Sequence, residues 1–148
     1  MTQYLTVYGD PVGWQRAGRN RITGATYTQK KTLDREKLIA ETYAAKCGHF
    51  FPAKTPIYIL TVAFFPIPKS TTKKKMAEII AGRILPTVKP DRDNIGKLVC
   101  DALNGTAYAD DKDIVIGCEA KKYTEDRPRT VIVITDDKKD FKEAVRLL

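Results

Sequence analysis

The chain has 148 residues, 43% of them hydrophobic and 9% aromatic, with 26 Lys and Arg against 18 Asp and Glu for a net charge of +8. This predicts one domain over residues 1–148 with a single core, and it excludes a disordered or collagen-like chain. The excess of positive charge points to an anionic partner: nucleic acid, an acidic membrane surface or a phosphorylated substrate.

The N-terminal run Tyr4–Tyr8 is β-branched and aromatic and stops at Gly9-Asp10-Pro11, which predicts a strand entering a loop. That loop carries Arg16, Arg19 and Arg21 among glycines, so it offers positive charge on mobile backbone. Helix formers from Tyr27 to Cys47 predict a helix stopped by Gly48. Ile57–Phe65 is almost continuously apolar, as a strand buried on both faces would be, and Pro66 and Pro68 end it. Ser70-Thr71-Thr72 then offers an N-cap for a short helix through Lys73, Lys74 and Lys75 to Ile80, closed by Gly82.

Asp91 to Asn104 is the clearest helix. Ile95, Leu98, Val99, Ala102 and Leu103 form an apolar stripe, while Asp93, Lys97 and Asp101 follow one another at i+4 on the opposite side. Two strands, Ile114–Tyr123 and Thr130–Thr135, precede an amphipathic helix from Asp137 that keeps Phe141, Ala144, Val145 and Leu148 on one face. Together these elements predict an α+β domain, a mixed sheet with interleaved helices.

Cys47, Cys100 and Cys118 are odd in number and widely spaced, and His49 is the lone histidine, which argues against a disulfide framework, a zinc site or a histidine-based triad. No apolar run approaches the roughly 18 residues of a membrane span, and no basic start precedes an apolar stretch. The expectation is a cytoplasmic protein with free thiols and no membrane partner.

The acids carry the chemical signal. Asp91 and Asp93 open the central helix, and Asp110 and Asp111 follow its end. Carboxylates held close repel one another unless a proton or cation intervenes, and hard divalent cations favour such oxygen ligands. The two pairs approach only if the chain after Gly105 turns back beside the helix. Each acid also has an ordinary use: Asp91 or Asp93 as a helix cap, Asp110-Asp111 as a turn, and Lys97 as an i, i+4 ion-pair partner. A calcium loop fails, because Ile95 and Ala102 occupy the fifth and twelfth positions where oxygen ligands belong. Gly96-Lys97 lacks the upstream glycine and following hydroxyl of a P-loop.

The stretch from Lys89 to Ile114 resembles the signature of the RusA family of Holliday-junction resolvases. The resemblance rests on Asp91, Asp93, Asn94, Lys97, Asp101-Ala102-Leu103 and Asp110-Asp111, with looser support from Gly9, Pro11 and the arginine loop. It implies a RusA-like fold and a small homodimeric endonuclease, dependent on Mg²⁺ with Mn²⁺ substituting. Such an enzyme nicks four-way DNA junctions symmetrically in recombination and repair and uses no small-molecule cofactor. It implies Asp91, Asp93 and Asp111, or Asp110 in its place, as metal-binding carboxylates and Lys97 as the catalytic lysine. The family's frequent occurrence in prophages extends to this chain as an expectation.

Phosphodiester hydrolysis needs an activated water and relief of charge on the phosphate, which a divalent ion on carboxylates supplies. Arg16, Arg19, Arg21, Lys30 and Lys31, then Lys73, Lys74 and Lys75, are the expected DNA-backbone contacts. Trp14 and Tyr27 flank the arginine loop as candidates for base stacking or for packing. Two other readings stand beside this one: a non-catalytic basic nucleic-acid-binding protein whose acids only cap a helix, and a branched-DNA nuclease of broader selectivity.

Overall fold

The computed structural model describes residues 1–148. Its elements run β1 (Thr2–Tyr8), β2 (Gly18–Arg19), β3 (Thr26–Tyr27), α1 (Lys30–Lys46), β4 (Ile57–Pro66), α2 (Lys73–Ile80), α3 (Arg92–Leu103), β5 (Ile114–Thr124), β6 (Arg129–Thr135) and α4 (Lys138–Arg146). Four strands form a mixed sheet in the order β1-β6-β4-β5. Strand β4 pairs antiparallel with β6 and parallel with β5, and β1 pairs antiparallel with β6. As the apolar run of β4 predicts, it is a central strand buried along nearly its whole length.

Alternation along the strands splits the core between the two faces of the sheet. Leu5, Val7, Ile57, Ile59, Ile132 and Ile134 face one side, where they meet Ile39 and Tyr43 of α1 and Leu98, Val99 and Leu103 of α3. Leu60, Val62 and Val133 face the other, against Phe141 of α4. The stripe on α3 is buried throughout, and each of its large residues contributes roughly 1.5–3 kcal/mol of burial free energy. The helix is thereby fixed on the sheet with Asp93, Lys97 and Asp101 directed away from the core.

Two features differ from the sequence expectation. Helix α1 begins at Lys30, because Thr26 and Tyr27 instead pair with Gly18 and Arg19 as a small hairpin. The arginine loop is therefore an ordered turn. The Asn20 carboxamide oxygen accepts from the N–H groups of Ile22 and Thr23, and the Tyr27 ring lies so close over Gly18 that a Cβ there would meet it at 2.3 Å.

The other two helices form where the sequence places them. The Thr72 hydroxyl caps α2 by accepting from the Lys75 N–H, and Gly82 leaves that helix with φ +76°. The Asp137 carboxylate caps α4 by accepting from Lys139 and Asp140. All three cysteines are free. No helix is long and apolar enough to cross a membrane.

Candidate active site

At the start of α3, Asp91 occupies the N-cap position with extended backbone, yet its carboxylate makes no capping hydrogen bond. Asp93, in the first turn, has no hydrogen-bond or ion-pair partner within the protein either. Both side chains are exposed. The cap that would explain these acids structurally is therefore not made, in contrast to Asp137, which caps α4 through two N–H groups. Two carboxylates beside the positive end of a helix dipole remain free to take an external cation.

One turn beyond Asp93, the Lys97 ammonium is held between two groups. It lies 3.4 Å from the Asp101 carboxylate and 5.0 Å from the centroid of the Trp14 ring. Trp14 reaches this place because the loop after β1 is docked on the start of α3. Its N–H donates to the Asn94 carbonyl at 2.8 Å, and buried Gly13 packs so tightly that a Cβ would lie 2.7 Å from that of Pro90. Glu36 of α1 is also in electrostatic reach; burial raises its pKa, Asp101 adds to the rise and Lys97 opposes it. Asp101 thus gains a position beside Lys97 that the spacing alone left without a role.

Strand β5 runs back antiparallel to α3, as a return of the chain beside the helix requires. The strand brings Glu119 to the first turns of the helix, where its carboxylate accepts from the Arg92 guanidinium at 3.3 Å and lies against Gly96. Asp110 and Asp111 remain toward the other end, in a 3₁₀ turn over Asp111–Asp113 that leads into β5. Asp110 makes the ordinary turn: its carboxylate accepts from the Lys112 N–H at 3.0 Å and pairs with the Lys112 ammonium at 3.4 Å. Those contacts, the backbone N–H first, hold its pKa below the usual carboxylate value. Asp111 is exposed beside that turn and has no basic partner.

Asp91, Asp93 and Asp110 or Asp111 are not gathered into one ligand set within this chain. No three His, Cys, Asp or Glu side chains are grouped to hold an ion between them. The reason is the length of the helix, about 18 Å for twelve residues, which separates the two acid pairs. Mg²⁺, however, is commonly held by one or two carboxylates together with substrate phosphates and water. The free carboxylates of Asp91 and Asp93 have the right chemistry for that arrangement.

Cys100 lies on α3 between these groups. Burial pushes its thiol up to about 11, and the charges of Glu119, Asp101 and Asp111 push in the same direction. Its carbonyl accepts from the buried Tyr108 hydroxyl at 2.7 Å, tying the helix end to the following loop.

The basic residues occupy two surfaces. Arg16, Arg19 and Arg21 are exposed on and before the hairpin, and Lys31 is exposed at the start of α1. Lys30 beside it is engaged with Asp34 at 2.6 Å. Lys73, Lys74 and Lys75 are exposed on α2. Trp14 is half-buried under Lys97, whereas Tyr27 is exposed over Gly18.

The contacts of Lys97 with Trp14, of α3 with Glu119 and of Glu36 with the Lys97–Asp101 pair have no sequence motif. Gly96 is the one local signal, since a glycine inside a helix marks close packing by a neighbour.

A family model described as endodeoxyribonuclease RusA matches residues 9–135. A Bacillus subtilis (strain 168) protein named "Uncharacterized protein YqaN" is 30% identical over 137 residues, covering 89% of this chain and 94% of that protein.

Proposed function

This chain belongs to the RusA endodeoxyribonuclease family, and from that premise we propose that it is a Mg²⁺-dependent nuclease that resolves four-way DNA junctions by paired symmetric nicks. The observation that carries this reading is the start of α3, where Asp91 and Asp93 have no protein partner and Lys97 is held one turn away by Asp101 and Trp14. Helix-capping acids would be spent on backbone N–H groups. These are not.

Asp91 and Asp93 would hold Mg²⁺, with Mn²⁺ as a substitute, together with oxygens of the DNA phosphate. Asp111, which α3 separates from these two, stands outside that ligand set within one chain and is proposed as a further acidic residue of the site, favoured over Asp110 because Lys112 already occupies the Asp110 carboxylate. When bound there the ion supplies an activated water and offsets phosphate charge.

The protein's own part is electrostatic and positional. The Lys97 ammonium faces the charge that develops on the phosphate or leaving oxygen, and a fixed cation of this kind assists because it needs no reorganisation during the reaction. Asp101 and the Trp14 ring restrict where that ammonium can lie, by ion pairing and by attraction of the cation to the ring face. Arg16, Arg19, Arg21 and Lys31 are the proposed contacts to the DNA backbone, with Lys73, Lys74 and Lys75 on a further arm and Lys30 secondary because of its pairing with Asp34.

Two symmetric nicks require two active sites related by a two-fold axis, so the proposed working form is a homodimer. The test is to incubate a labelled four-way junction and a matched linear duplex with the protein, in Mg²⁺ and in EDTA. Paired nicks in opposing arms of the junction alone, dependent on the metal, support the reading. Absence of metal-dependent cleavage contradicts it.

A further inference from the structure

Beside Asp91 the loop after β1 and the start of α3 enclose a cleft of ≈ 330 Å³. Its apolar lining includes Val12, Trp14 and Pro90, and its polar lining includes Gln15, Lys31, Lys89 and Asn94. The side chains of Gln15, Lys31, Lys89 and Asn94 make no hydrogen bond or ion pair within the protein; the Gln15 contact to Thr32 uses the backbone N–H alone. Convergent polar groups left unpaired around an apolar wall are what a ligand subsite offers, and the volume lies at the small end of such sites, roughly 300–1,000 Å³. The chemistry of the lining is specific. Two ammonium groups suit phosphate oxygens, two carboxamides suit the donor and acceptor edge of a base, and the walls suit its flat apolar faces.

We propose that this cleft is the subsite for one unstacked nucleotide next to the scissile phosphate. In it Gln15 and Asn94 contact the base edge, and Lys31 and Lys89 contact the flanking phosphates. The inference rests on the nuclease reading above and adds to it the place where nucleotide identity is read. The cleft borders the Asp91 carboxylate, so its occupant is set directly beside the proposed point of cleavage. Trp14 belongs to both places: it lines the cleft, and its ring carries the Lys97 ammonium. A nucleotide seated in that cleft fixes the loop that positions Lys97, which makes base choice and cleavage rate one event. An unstacked base at the open centre of a junction can enter such a cleft at less cost than one in continuous duplex.

The test uses four-way junctions that differ only in the nucleotides on either side of the crossover, with the full-length protein, Gln15→Ala and Lys89→Ala. Uneven cleavage of the set by the parent is expected. In Gln15→Ala the ratio of best to worst sequence should narrow by roughly tenfold, the scale of a side-chain amide contact to a base. In parallel, junction binding is measured in EDTA over a salt series. Lys89→Ala should weaken binding to every sequence alike and reduce the slope of log affinity against log salt by about one.

Even cleavage by the parent, or an unchanged ratio in Gln15→Ala, overturns the assignment of base reading to this cleft. An unchanged salt slope in Lys89→Ala overturns the phosphate contact. If the parent cleaves no junction in Mg²⁺, the nuclease reading fails, and the binding series still decides whether the cleft touches nucleic acid. Melting of each variant is recorded alongside, so that a loss through unfolding is seen as such.

Discussion

Adding a single methyl group at Gly13 tests whether the loop after β1 positions Lys97, the proposed catalytic lysine. In Gly13→Ala the new Cβ would lie 2.7 Å from the Pro90 Cβ and 3.2 Å from the Asn94 Cβ. Carbon atoms settle at about 3.5–4.0 Å, so the loop must withdraw from α3 by about 1 Å. The methyl itself costs roughly 1–3 kcal/mol as overpacking. The same displacement stretches the 2.8 Å bond from the Trp14 N–H to the Asn94 carbonyl, which adds about 1 kcal/mol if it is lost. For a chain of this size the sum predicts a Tm lower by about 5–12 °C.

Withdrawal also carries the Trp14 ring from beneath Lys97, and a misplacement of about 1 Å at a reacting group costs on the order of a hundredfold in rate. The assay pairs a thermal melt with single-turnover junction cleavage at a temperature where both proteins are folded. Trp14→Phe should recover most of the rate and Trp14→Ala should not. A Gly13→Ala protein that melts with the parent and cleaves at the parental rate would refute the reasoning.

Three further outcomes are expected. Asp101→Asn should release the Lys97 ammonium and slow cleavage by roughly tenfold while leaving junction affinity unchanged, as read from single-turnover rates and a shift assay; equal rates would remove Asp101 from the site. Cys100 titrates at about 11 in the folded protein against 9.0 when unperturbed, so above pH 9 the unfolded chain loses this proton first and stability must fall. Between pH 9 and 10 its share of the slope is at most about 1.4 kcal/mol per pH unit, and urea denaturation of Cys100→Ala should show a shallower decline than the parent; parallel curves would contradict the assignment. Since no three acidic side chains are grouped to hold an ion, the DNA-free protein should show no saturable Mg²⁺ uptake by calorimetry at concentrations that support cleavage. Stoichiometric uptake without DNA would contradict that expectation.

Much of this fold is legible because its signals are local. The α3 stripe, the hydroxyl run Ser70-Thr71-Thr72, Gly82 and the continuous apolarity of β4 each act within a few residues, and each element stands where they place it, whereas the choice of Thr72 among the three hydroxyls and the Asp137 cap emerge only from the folded geometry. The hairpin of β2 and β3 is less legible, since two-residue strands leave no periodicity and Tyr27 reads equally well as the start of α1. Strand order was beyond reach for another reason: β6 inserts between β1 and β4, a pairing set by contacts distant in sequence.

The same division runs through the candidate site. The spacing of Asp91, Asp93 and Lys97 is written on one helix. That neither acid is consumed as a cap, that Asp101 and Trp14 hold Lys97, and that Glu119 faces the helix start depend on which elements the core presses together. Residues 14 and 97 meet only because Gly13 permits the loop to lie on α3.

The central claim is that the unpartnered carboxylates at the start of α3 perform metal-dependent cleavage. Asp93→Asn tests it most directly, because the Asp93 carboxylate makes no hydrogen bond or ion pair in the protein and its loss costs the helix only about 0.3–1 kcal/mol through the dipole. On a labelled four-way junction in Mg²⁺, the parent should yield paired nicks in opposing arms. The variant should yield none, yet retain the junction at equal or lower Kd in EDTA. A variant that still cleaves at the parental rate would contradict the account.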